Sequence, residues 1–222
     1  MAIAFVGKKE NANASTGTAA TMTYAAVNGN AVLLGVQFSA AIAGPTCVDN
    51  NAHPLANLIT NGNERVFVGV ASAGVTGYTL SWTNAVKYAA CLGEYSGNNP
   101  TAPIGAAAIA TATSTTPSIG LTTQDNGSWL IAFFGGGANL TYTASLGTIR
   151  SQITGGAAAT SMCLVDNPAP IPNNSQVTAT ALQLNNQWFA AGLELFPPQA
   201  GGGSLTNWLS KSKASGANKH GY

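Results

Sequence analysis

Charge is scarce in this sequence. Only 7% of its 222 residues are Asp, Glu, Lys or Arg, against roughly 25% in ordinary soluble domains. The formal net charge of +1 excludes a strongly basic nucleic-acid binder on bulk charge. Histidine is nearly absent. His53 sits in a loop-like "NNAHPL" and His220 lies two residues from the end; neither is near a nucleophile-elbow motif, so a Ser-His-Asp hydrolase is not expected. Cys47, Cys91 and Cys163 share no metal-ligand spacing, and they read as buried free thiols, with a Cys47–Cys163 disulfide as the alternative. With no His/Cys cluster and no cofactor motif, neither a metal nor a cofactor is expected. No window approaches the roughly twenty apolar residues of a membrane-spanning helix. The N-terminal "MAIAFVGKKENANAS" places a short apolar run before its lysines, the reverse of a signal peptide, so no export signal is expected.

What is present is neutral polarity, hydrophobic alternation and glycine. Apolar residues make up 45% of the chain and glycines number 26, so a sizeable core is available inside a weakly charged surface. Such surfaces lack mutual repulsion and suit chains packed against copies or partners. "AVLLGVQF" puts Val32, Leu34, Val36 and Phe38 on one face, and "RVFVGV" does the same for Val66, Val68 and Val70. "YTLSW", "VKYAACLGEY" and "WFAAGLELF" read as further strands, separated by "NGN", "DNN", "SGNNP", "DNGS" and "DNPAPIPNN". The spacing predicts roughly twelve to fourteen strands and no sustained helical period.

The chain also half-repeats. "NGNAVLLGVQFS" (28–39) resembles "DNGSWLIAFFGG" (125–136), and "TGYTLSWTNAVKYAACLGEYSG" (76–97) resembles "SQVTATALQLNNQWFAAGLELFPP" (175–198). The expected fold is therefore all-β: a single two-sheet antiparallel sandwich built from two pseudo-equivalent halves. The expected organisation is an arm over 1–14, a sandwich over 15–198 and a Gly-hinged basic tail over 199–222. "NNPTAPIGAAAIATATSTTPS" is expected to be the linker crossing between the halves.

The order "GNAVLLGV…CVDNNAHPL…ERVFVGVASAGVTGYTLSW…AACLGEYSG…SWLIAFF…WFAAGLELFPP" resembles a family of jelly-roll-like β-sandwich domains found in phage virion proteins and bacterial surface or secreted proteins. The likeness covers about residues 15–198, with "EYSG" its most distinctive piece. It implies the sandwich fold and brings no catalytic residue set. Asp49-Asn50 stands where such domains often show an Asp-x-x-Gly-Asn turn, but "DNNAH" lacks the glycine and the turn is assigned no role.

Among candidate chemistries, Glu94 and Glu194 stand near the ends of equivalent strands, and paired carboxylates are the machinery of glycosidases. The simpler reading is that each marks a strand's emergence into solvent, and no enzymatic activity is expected. Asp49, Asp125 and Asp166 each neighbour an asparagine, as in turns whose side chains bond their own backbone. Trp82, Trp129 and Trp188 read as core residues; one of them on a loop rim would favour glycan binding.

The ending "GGGSLTNWLSKSK" differs from the rest. Residues 15–198 carry Lys87, Arg65 and Arg150 against Asp49, Glu64, Glu94, Asp125, Asp166 and Glu194, a balance of −3, whereas the last 24 residues carry three lysines and no acid. Ser204 can cap a short helix placing Leu205, Trp208 and Leu209 on one face, followed by Lys211 and Lys213. So short a helix is marginal alone and forms when docked. These features lead to the expectation of a non-enzymatic virion structural protein, a capsid decoration or head-fibre protein. It would assemble in the host cytoplasm, self-associate, and bind other virion subunits through its terminal segments, the N-terminal arm together with a tail carrying Leu205, Trp208, Leu209, Lys211 and Lys213. A carbohydrate-binding module of a tail fibre or bacterial surface protein is the alternative.

Overall fold

The computed structural model describes residues 2–154, 160–182 and 184–198, with the backbone alone described at 14, 168, 169, 177, 179 and 181. Leu205, Trp208, Leu209, Lys211, Lys213 and His220 lie outside the described residues. Within them the chain is all-β, with fourteen strands and no helix. The first half holds β1 (Ala4–Thr23), β2 (Ala31–Phe38), β3 (Thr46–Asp49), β4 (Pro54–Asn61), β5 (Glu64–Val70) and β6 (Gly77–Ser96). The second holds β7 (Ile104–Ser114), β8 (Ser118–Thr122), β9 (Ser128–Gly136), β10 (Thr143–Leu146), β11 (Thr148–Thr154), β12 (Ser161–Ile171), β13 (Gln176–Leu182) and β14 (Asn186–Leu195).

All strand pairings are antiparallel. In the first half the order is β1-β6-β2-β5-β4-β3, and β3 pairs again with β6, so five strands close into a barrel. In the second half β7-β14-β9-β12-β11 form an open sheet beside a three-stranded β8-β13-β10 sheet. The expected single sandwich is thus replaced by a closed barrel and an open sheet with a small companion.

The repeat is nevertheless real in topology. β1-β6-β2-β5-β4 recurs as β7-β14-β9-β12-β11, and β2 and β9 occupy the same central position. Val32 lies opposite Glu94 as Leu130 lies opposite Glu194. The long strands β1 and β6 run unbroken through the one sheet of the first half. Their counterparts are divided, β7 from β8 and β13 from β14. Pro117 stands in the first gap, where it has no N–H to continue a ladder.

Three cores follow from strand alternation. Even positions of β2 (Val32, Leu34, Val36, Phe38) fill the barrel with Phe67, Leu80, Trp82 and Tyr88. Odd positions (Ala31, Leu33) face outward with Val66, Val68 and Cys91, against Ile131, Phe133, Leu164 and Leu193 of the open sheet. The far face of that sheet buries Leu130, Phe134 and Val165 against Ile119 and Leu121 of β8. One cysteine lies in each core: Cys47 in the barrel, Cys91 between the halves and Cys163 in the outer core, all free thiols. The two halves interlock where Gly35 lies against the Phe133 ring; a Cβ there would come within 2.2 Å of it. By the register Gly35 and Phe133 are equivalent positions, so one half supplies the hole and the other the knob.

Two segments differ from expectation. Residues 4–14 are no free arm but the outer half of β1, paired with β6 from Ala4 opposite Ser96 to Asn13 opposite Tyr88. Ile3, Phe5 and Ala12 pack on the core between the halves while Lys8 and Lys9 face outward, a one-sided burial that a short apolar run conceals. The Ala- and Thr-rich expected linker is itself strand β7, paired with β14; small residues suffice at a sheet edge, where one side needs no packing partner.

Candidate functional site

The carboxylate pair that could have been catalytic is spent on loops. Glu94, only 1% exposed, accepts from Tyr24 Oη at 2.6 Å, Val27 N at 2.8 Å and Asn30 Nδ2 at 2.6 Å, all from the segment entering β2. Glu194, fully buried, accepts from Ala106 N at 3.0 Å, Gln124 N at 2.7 Å and Asp125 N at 3.1 Å. Two of those donors enter β9, the counterpart of β2. Neither glutamate marks a strand's emergence into solvent: each ties the loop of its own half to the end of the strand bearing it. A hydrogen-bonded carboxylate can be buried at this depth where an unpaired one could not.

Asp166 also departs from the turn reading. It is a fully buried strand residue, held by Arg150 Nε at 2.9 and 2.8 Å, and the same guanidinium lies 4.9 Å above the Phe5 ring. Burial pushes the Asp166 carboxyl above its ordinary range, with Arg150 opposing. Asp125 does bond its own turn, accepting from Asn126 N at 2.8 Å.

Spacing does not reveal the cluster around Asp49. The β3–β4 turn brings His53 Nδ1 to 3.1 Å from Asp49 Oδ2, and the loop after β5 brings Ser72 Oγ to 3.2 Å from the same oxygen and 3.1 Å from Nδ1. Asp49 Oδ1 accepts from Asn51 N and His53 N, each at 2.9 Å. Burial raises the Asp49 carboxyl, and these His53, Asn51 and Ser72 hydrogen bonds more than reverse it, leaving it below its ordinary value. The three residue types are those of a hydrolytic triad, but the wiring is not. A carboxylate only accepts, so it is an Nδ1 proton that faces Asp49, and Nε2 is turned away from it. Ser72 shares the Nδ1 side and donates to Asp49, whereas a nucleophile must hand its proton to Nε2. The adjoining cavity, about 30 Å³ and lined by Val32, Asp49, His53, Leu55 and Tyr78, has room for about one water molecule and is far too small for a metabolite. The arrangement pins a turn and orients one exposed imidazole.

No three His, Cys, Asp or Glu side chains converge on a metal position among the described residues. Trp82, Trp129 and Trp188 are 5–7% exposed. Trp82 Nε1 donates to Gly17 O at 2.7 Å and Trp188 Nε1 to Ser114 Oγ at 2.9 Å, so none forms a sugar platform. Burial raises the Cys47 and Cys91 thiols to about 12, and the thiolate needed for reaction is suppressed. No protein-family model, curated protein or solved structure matches the chain.

Proposed function

We propose that this chain is a non-enzymatic structural component of a virion surface, a capsid decoration or head-fibre protein. Each half is a jelly-roll-like unit in this reading. The observation that carries it is where the few charges lie. Of the six acids in residues 15–198, Asp49, Glu64, Glu94, Asp166 and Glu194 are buried, and Arg65 is buried as well. All of these acids but Glu64 pin loops or cross-link strands, and among the described residues few charges are left on the outer surface. Such a surface resists aggregation poorly when free and fits a subunit that spends its life packed among others. The buried tryptophans remove the feature that would have favoured a glycan-binding module.

Docking falls to the C-terminal segment, since residues 4–14 are engaged in β1. Leu205, Trp208 and Leu209 supply apolar contact, with Lys211 and Lys213 adding attraction for an acidic surface. Immunogold electron microscopy with an antibody against this chain, on particles from a lysate of the organism encoding it, tests the reading. Regular labelling of particle surfaces is expected; label confined to the soluble fraction overturns it. Within labelled particles, Trp208→Ala should reduce incorporation more than Lys211→Ala, and only the lysine contribution should weaken with added salt.

A further inference from the structure

The two equivalent outer strands carry very different side chains. Taking Glu94 and Glu194 as corresponding points, Lys8 opposite Gly93 matches Ala107 opposite Leu193, and Glu10 opposite Cys91 matches Ile109 opposite Ala191. Among the described residues β1 pairs only with β6 and β7 only with β14. An outer strand offers unpaired backbone donors and acceptors to any other strand, and charged side chains are a common guard.

β1 is guarded. Lys8 Nζ lies 2.7 Å from Glu10, Glu10 accepts from Ser151 Oγ of β11 at 2.9 Å, and Arg150 of β11 covers Phe5. β7 is not. Its eleven residues, "IGAAAIATATS", include no charge and no proline. Ile109 is 58% exposed, and Ala107, Thr111, Ala112 and Thr113 are exposed beside it. The barrel half reaches this strand through Asn61, whose Nδ2 donates to Ala110 O at 2.9 Å.

We infer that β7 is a homotypic interface: the β7 strands of two copies pair antiparallel about a two-fold axis, joining the two open sheets into one. The occupant is a second copy because the strand is its own complement. Antiparallel self-pairing sets Ala, Ile and Thr against Ala, Ile and Thr, with no like charges facing each other. Small side chains permit close approach, and the pairing covers Ile109 while satisfying edge backbone groups. A charged partner strand would face an apolar edge holding no counter-charge. The inference adds to the virion role without depending on it, since it concerns self-association in solution.

Sedimentation velocity and hydrogen exchange on the full chain test it. The wild type should sediment as a dimer, and the double variant A107K/I109E, which installs the β1 guard residues at the same positions, should show half that mass with unchanged circular dichroism. Amides of 104–114 in the wild type should lose protection on dilution as dimers dissociate. That second measurement stands even if the variant misfolds. A monomeric wild type, which would leave β7 for a strand from a different protein, overturns the inference. So does a dimer that survives A107K/I109E, or one whose concentration-dependent protection maps elsewhere, including the C-terminal segment.

Discussion

The first half runs β1 and β6 as unbroken twenty-residue strands, whereas the second divides the same path into β7 and β8, and β13 and β14. In the first half, register shifts at Asn13, Gly17 and Ala19 let β1 bend without losing its pairing. The four residues of β3 then bridge β4 to the first part of β6, and the sheet closes. In the second half β10 pairs with β13, which is no longer continuous with β14, so the ring stays open. One topology thus yields a barrel or an open sheet according to whether two strands bend or break. Closure removes the edges of the ring itself, while β1 and β7 remain outer strands in their own halves, the first carrying charged side chains and the second none.

The largest way to break the equivalence is at the two loop-pinning glutamates. Glu94→Ala or Glu194→Ala leaves three part-buried donors each without their acceptor, at up to about 1–3 kcal/mol for each donor that water does not reach, and chemical denaturation should show losses of about 3 kcal/mol. Glutamine separates the pair. At Glu94 the amide NH₂ can face the Tyr24 hydroxyl, which rotates to accept, so the loss should stay under about 1 kcal/mol. At Glu194 all three donors are backbone N–H groups that cannot turn, so Glu194→Gln should cost about 1–3 kcal/mol. Equal losses at both would mean the two carboxylates are held alike.

A smaller effect is expected from the reciprocal glycines. Gly35→Ala drives a methyl into the Phe133 ring, and Gly135→Ala drives one toward Gln37 Oε1, the far end of a flexible side chain. The first should cost about 1–3 kcal/mol and the second distinctly less. Gly35→Ala combined with Phe133→Leu should recover part of the loss, which a double-mutant cycle would read.

The smallest expected effect stabilises. Glu64 is fully buried with both carboxylate oxygens unpartnered among the described residues, and it occupies the position that Met162 fills in the second half. Burial pushes its carboxyl well above the usual range, with Arg65 opposing. The folded state then keeps a proton that the unfolded chain releases, so stability falls as pH rises from about 4.5 toward the folded-state pKa. Glu64→Met should flatten that portion of the profile and raise stability at pH 8 by about 1 kcal/mol. A variant as pH-dependent as the wild type would place the titration elsewhere.

Much of this architecture was legible as alternation. β2, β5 and β14 are strands because their apolar residues recur at every second position, and the repeat correctly paired β2 with β9 and Glu94 with Glu194. β7 was illegible because Ala, Gly and Thr carry no strong period. Asp166 looked like a turn residue beside Asn167 and Pro168, yet β12 runs through all three. Barrel closure depends on four residues of β3, and the meeting of Ser72 with Asp49 spans 23 positions. Neither leaves a mark that a local window can read.

The placement of the cysteines turns the protein into its own clock. Cys47, Cys91 and Cys163 are each 0–1% exposed, one per hydrophobic layer. An alkylating reagent can reach a given thiol only when that layer parts. The order in which the three sulfurs become labelled under mild denaturant would therefore time the separate opening of barrel, seam and outer sheet, with no foreign probe added.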